Sequence, residues 1–146
     1  MSHRDSTWTD QTLTAPHAVA DKAARVRRMF AAIASSYDLN NRLHSLGRDQ
    51  AWRRAAVRHA QLRPGEHVVD VACGTGDLSL AFSSAGAGGV TGIDFTSEML
   101  VIADAKRSAL QHAAPRYLGG DAMHLPVASA CADVVSIAFG IRNIAD

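Results

Sequence analysis

The chain of 146 residues is poor in the residues that mark specialised protein classes. It holds two cysteines, Cys73 and Cys131. They are too few and too far apart for a disulfide framework, and they form no metal motif. Seven histidines are scattered without HxxxH or HExxH spacing, so no metal site is expected. No apolar run approaches the ~20 residues that span a bilayer. The N-terminal stretch MSHRDSTWTDQTLTAPH lacks the apolar core of a secretory signal. Together these absences point to a reducing, cytoplasmic setting.

What is present suits one globular domain with a real core, since 47% of the residues are hydrophobic. Net charge is only +1, but it is unevenly placed. Residues 1–63 carry eleven Lys/Arg against five Asp/Glu, and residues 64–146 carry four against nine. The basic half reads either as a solvated helical face or as a surface for an anionic partner such as a membrane headgroup.

The pattern divides the chain in three. Residues 1–19 are polar and aperiodic and are expected to form a disordered arm. Residues 20–63 form a helical cap. Its first helix starts near Asp21, buries the stripe Val26, Met29, Phe30 and Ile33, and breaks at SSYDLNN. Its second helix covers Asp49 to about Gln61, with Trp52 on the buried side. RPGE at 63–66 is a turn and the next boundary. From residue 64 to 146 the period changes. HVVDVA, VTGIDF, RYLGGD and DVVSIAFG read as strands. GDLSLAFSSA and TSEMLVIADAKRSALQHA read as helices, the latter capped by Thr96 or Ser97 and stopped by Pro115. Alternating strands and helices predict an α/β, Rossmann-like domain with a parallel sheet.

Gly74 and Gly76 fall where strand one meets its helix, the place where such sheets bind ligands. Glycines there let backbone N–H groups touch a ligand, and the helix N-terminus adds positive potential. GTGDLS puts Ser79 where a dinucleotide fingerprint needs its third glycine, and Asp77 would crowd a pyrophosphate. A phosphate-binding loop of the P-loop kind needs a lysine that is absent. Asp70, just before the turn, suits an ammonium group, whereas the helix N-terminus suits a carboxylate. The amino-acid end of S-adenosylmethionine (SAM) carries both. Asp94 ends strand two, eighteen residues after Gly76. It can accept from both ribose hydroxyls, a signal shared by NAD and SAM. Asp121 ends strand three and could accept the exocyclic amine of adenine, with the Ala122 backbone at a ring nitrogen.

VRRMFAAIASSYDLNNRLHSLGRDQAWRR, DVACGTGDLSLA, GIDFTSEML, GGDAMHLP and FGIRNIAD together resemble the ubiquinone/menaquinone-biosynthesis C-methyltransferases, a class I SAM-dependent family. The resemblance runs from about Val26 to Asp146. It implies cofactor roles for Thr75, Asp94, Asp121 and Ala122, matches Gly74 and Gly76 to the family's turn, and matches Asp70 to its strand-one acid. It implies methylation of a ring carbon of a polyprenylated quinol, with Tyr37, Arg142 and Asn143 as candidate catalytic residues. The lipid tail of such a substrate implies peripheral membrane contact. No nucleic-acid partner is expected, because the Asn/Asp-Pro-Pro-aromatic motif of base methylases is missing after strand four. Ala138 stands where some members have a serine. Val127, Ser129 and Ala132 replace the usual Phe, Asp and Phe of a loop, which predicts looser packing there. The family's sheet has seven strands in the order 3-2-1-4-5-7-6, and this sequence supplies four. It therefore reads as a truncated piece of a longer protein, and as an inactive fragment in the alternative. An open strand four would favour a homo-oligomer.

Overall fold

A computed structural model describes residues 22–108, 114–141 and 144. The expected N-terminal arm lies outside the described residues. Helices α1 (Lys22–His44) and α2 (Arg48–Ala60) precede β1 (His67–Val71), α3 (Asp77–Ser84), β2 (Gly89–Asp94), α4 (Ser97–Arg107), β3 (Arg116–Gly119) and β4 (Val134–Ile137). The four strands are parallel, in the order β3-β2-β1-β4.

α1 does not break at SSYDLNN. It runs on to His44, because no glycine or proline interrupts it and its polar side chains bond along the helix instead of diverting the backbone. Ser36 Oγ donates to the Ile33 carbonyl at 3.2 Å, and Asn40 Nδ2 donates to Ser36 Oγ at 3.3 Å. The helix ends at Leu46 and Gly47, both with positive φ (52° and 77°). Its buried stripe is also rotated from the expected one. Val26 and Ala34 are buried, spaced by fours through half-buried Phe30, so Met29 turns outward. On α2 the side chain that turns inward is Asp49, and Trp52 is 49% exposed rather than core.

The sheet's two faces are built differently. Alternation along β1 sends Val68 to one face and Val69 and Val71 to the other. Val68 and Val90 pack with Leu78 and Phe82 of α3, backed by Ala56 and Val57 of α2. On the opposite face Val69, Val71 and Ile93 pack against Ala122, Val127 and Ala132 of the β3–β4 loop. Val127 and Ala132 thus pack, and Val127 also borders a cavity with Leu118 and Cys131. Leu118, Val135 and Ile137 on that face stay at least a third exposed. Among the described residues, no helix is long and apolar enough to cross a membrane.

Candidate functional site

The carboxyl ends of β1, β2 and β3 converge with α1 on one cavity. Its wall includes Gly74, Asp94, Asp121 and Ala122, with Phe95 and Met99 on the apolar side and Phe30 and Tyr37 from α1. The turn that reaches it is shaped by positive φ at Ala72 (52°), Gly74 (55°) and Gly76 (81°). Gly76 has no room for a side chain, since a Cβ would stand 2.9 Å from Ala103 Cβ of α4.

Asp94 is 8% exposed and closes this turn. Gly74 N–H donates to its Oδ2 at 2.8 Å and Thr96 N–H to its Oδ1 at 2.9 Å. Each carboxylate oxygen keeps a second acceptor site for a ligand hydroxyl. Thr96 is the α4 N-cap by position, but its hydroxyl makes no capping hydrogen bond. Asp121 is exposed and holds a local turn by accepting from Met123 N–H at 2.9 Å.

Asp70 lines a second cavity with Gly74 and Thr75. It is 1% exposed beneath the turn. Ser79 Oγ donates to its Oδ2 at 2.6 Å, and Ser136 Oγ, its register partner on β4, donates to Oδ1 at 2.7 Å. Burial pushes its pKa up to about 6, with the Asp94 charge adding to the rise and the two serine hydroxyls opposing it. Asp70 therefore braces β1, α3 and β4 from below. Cys73 within the turn has its thiol pKa raised by burial and by the charges of Asp70 and Asp94.

Thr75 is tied to the cap. Its Oγ1 donates to Asp38 Oδ1 at 2.6 Å and accepts from Lys106 Nζ at 3.0 Å. Asp77 is paired with Lys106 at 2.6 Å and Arg53 at 3.3 Å, so its charge is matched. The argument that Asp77 repels a diphosphate loses its force, and the missing third glycine carries that exclusion. Arg53 also pairs with Asp49. Burial works to raise the Asp49 pKa, but hydrogen bonds from Arg53 and Ser45 and the Arg53 charge hold it below the usual value.

Tyr37 faces the cavity and packs edge-on against Phe30, ring centroids 5.9 Å apart. Phe30 is therefore cavity wall as well as packing. Arg142 and Asn143 lie outside the described residues, although Gly140 and Ile144 on either side of them line the cavity. Sequence reasoning missed Asp38, Lys106, Ser79 and Ser136 as supports of the turn. Asp38 had a signal, its adjacency to Tyr37; a lysine in the last turn of a helix has none. Among the described residues, no group of His, Cys, Asp or Glu could hold a metal ion.

A parallel 3-2-1-4 sheet with a glycine turn after its first strand is the Rossmann-like arrangement of class I SAM methyltransferases. Magnesium protoporphyrin IX methyltransferase (ChlM) from Synechocystis PCC 6803, solved with bound SAM, matches with a TM-score of 0.62 over 82% of this chain and 62% of that one, at 24% identity. The chain belongs to the ubiE/COQ5 methyltransferase family, which it matches over residues 18–146. A demethylmenaquinone methyltransferase of Deinococcus radiodurans is 45% identical over 127 residues, 86% of this chain and 52% of the relative. The ubiquinone/menaquinone biosynthesis C-methyltransferase UbiE of Geobacter sp. strain M21 is 41% identical over 133 residues, 89% of this chain and 57% of the relative. The chain spans about half the length of the curated relatives it matches.

Proposed function

We propose that the protein is a SAM-dependent C-methyltransferase acting on the ring of a polyprenylated quinol, a demethylmenaquinol or a ubiquinone-pathway benzoquinol. The observation that carries this reading is the convergence of the glycine turn, Asp94 and Asp121 on one cavity at the strand ends. The donor set fits the cofactor. Asp94 offers acceptors for ribose hydroxyls, Asp121 and the Ala122 backbone flank a site for adenine, and Phe95 and Met99 supply an apolar wall for its ring. Gly74 and Gly76 allow close backbone approach to the methionine end, with Thr75 between them. Asp70 acts on that end through the turn it braces. The names of the relatives from Deinococcus and Geobacter support the quinol class.

When bound, the cofactor supplies an electrophilic methyl group on a sulfonium. The chain's own part is to orient the substrate beside it and to manage proton loss from a phenol. Tyr37 closes the cavity from the cap. Arg142 stabilises the phenolate or positions the water that takes its proton, since a guanidinium stays protonated itself. Asn143 holds a quinol oxygen. Exposed Leu39, Leu43 and Leu46, beside Arg42 and Arg48, support peripheral contact with an anionic bilayer.

Calorimetry with S-adenosylhomocysteine and with NAD tests the cofactor assignment. Binding of the former alone is expected, and tighter binding of NAD would overturn it. Transfer of a labelled methyl group from SAM to reduced naphthoquinol and benzoquinol acceptors then tests the reaction.

A further inference from the structure

Lys106 lies in the last turn of α4, where a basic residue needs no more explanation than the helix dipole. Its surroundings give it more to do. Nζ lies 2.5 Å from Asp38 Oδ2, 2.6 Å from Asp77 Oδ1 and 3.0 Å from Thr75 Oγ1. An ammonium has three protons to donate, and these three acceptors match them. The acceptors come from the cap, from the start of α3 and from the glycine turn. Thr75 closes the ring by donating to Asp38 Oδ1. The side chains of Lys106, Asp38 and Asp77 are 26%, 33% and 22% exposed, so the group is shielded more than an ordinary surface pair. Asp38 immediately follows Tyr37 on α1. Tyr37 Cε1 lies 4.0 Å from the point a Cβ on Gly74 would occupy, so what fixes Asp38 fixes the aromatic roof over the turn.

We propose that Lys106 is a positioning residue: its ammonium latches Asp38 of the cap to Thr75 and Asp77, and so holds α1 and Tyr37 over the mouth of the cofactor cavity. The part concerning ligand affinity rests on the function proposed above, whereas the latch itself does not. The latch ties α1 and α4 to the glycine turn and the start of α3. Removing the ammonium leaves Asp77 paired with Arg53 alone and Asp38 without its cation, held to the turn by the Thr75 hydroxyl only, so the tie between α1 and the turn weakens.

The test is hydrogen exchange of α1 amides in the full chain, run beside titration with S-adenosylhomocysteine. Lys106→Met is expected to speed α1 exchange and weaken S-adenosylhomocysteine roughly fivefold. Lys106→Arg should retain most of both, which separates the charge from simple packing. Asp38→Asn should reproduce the loosening, and the double variant should be no worse than the worse single one. Should Lys106→Met fail to fold, Asp38→Asn, which leaves Lys106 paired with Asp77, carries the same readout. Unchanged α1 exchange in a folded Lys106→Met protein overturns the proposal, as does an arginine variant as loose as the methionine one. A wild-type chain that does not bind S-adenosylhomocysteine defeats the proposed function, and the exchange arm still decides the latch.

Discussion

The two faces of the sheet share every strand and almost nothing else. The face under α3 carries buried valines, the 1%-exposed Phe82 and the Asp70–Ser79–Ser136 cluster. The other carries Val69, Val71 and Ile93 under a loop, with Val135 left 65% exposed. The difference teaches that the helix-covered face supplies both the core and the polar bracing on which the turn stands.

Truncation on each face sharpens the contrast most. Phe82→Ala is expected to cost about 3–5 kcal/mol in urea unfolding, from lost burial plus the cavity left behind. Val135→Ala on the open face should stay within about 0.5 kcal/mol. Equal losses would abolish the distinction between the faces. Next in size is Asp94→Ala, which removes an acceptor for Gly74 and Thr96 as well as the cavity's carboxylate. S-adenosylhomocysteine affinity should fall roughly tenfold to a hundredfold by calorimetry.

The covered face also carries a pH signature. The folded-state pKa of Asp70 is about 6 against an ordinary 3.8, so the folded chain holds this proton more tightly than the unfolded one. Its stabilising contribution is full below 3.8 and is lost as pH rises to about 6. The stability of wild type relative to Asp70→Asn should therefore fall across that window and level off above it. Denaturant midpoints of both proteins at several pH values check this, and a difference that rises with pH would contradict the buried, proton-holding environment.

Most of the strand and helix order was legible, because β-branched runs, glycine turns and amphipathic spacing are local signals. The 3-2-1-4 order was expected from the resemblance to a family, since nothing local in the sequence states which strands pair. The misread positions have a common cause. Ser35 to Asn41 look like a helix break by composition, yet side-chain bonds such as Ser36 to Ile33 keep the helix going. Met29 and Trp52 look like core by type, but burial is decided by which neighbours arrive, and none covers them fully. At the site, the placement of Asp94 and Asp121 on one cavity was legible because strand ends announce themselves. The role of Asp70 was not, because its partners Ser79 and Ser136 come from a helix and from a strand sixty-six residues away in sequence. Lys106 was invisible for the same reason, since its partner Asp38 is brought to it only by folding.

Asp94 faces two ways: toward the backbone of Gly74 and Thr96, and toward the cavity. A ligand that hydrogen-bonds this carboxylate leans on a residue the turn already needs in order to close. Occupancy and folding are then coupled by mass action, and at a hundredfold excess over Kd a ligand adds roughly 2.7 kcal/mol to stability. A ligand that takes this carboxylate would then raise the melting temperature in step with its concentration.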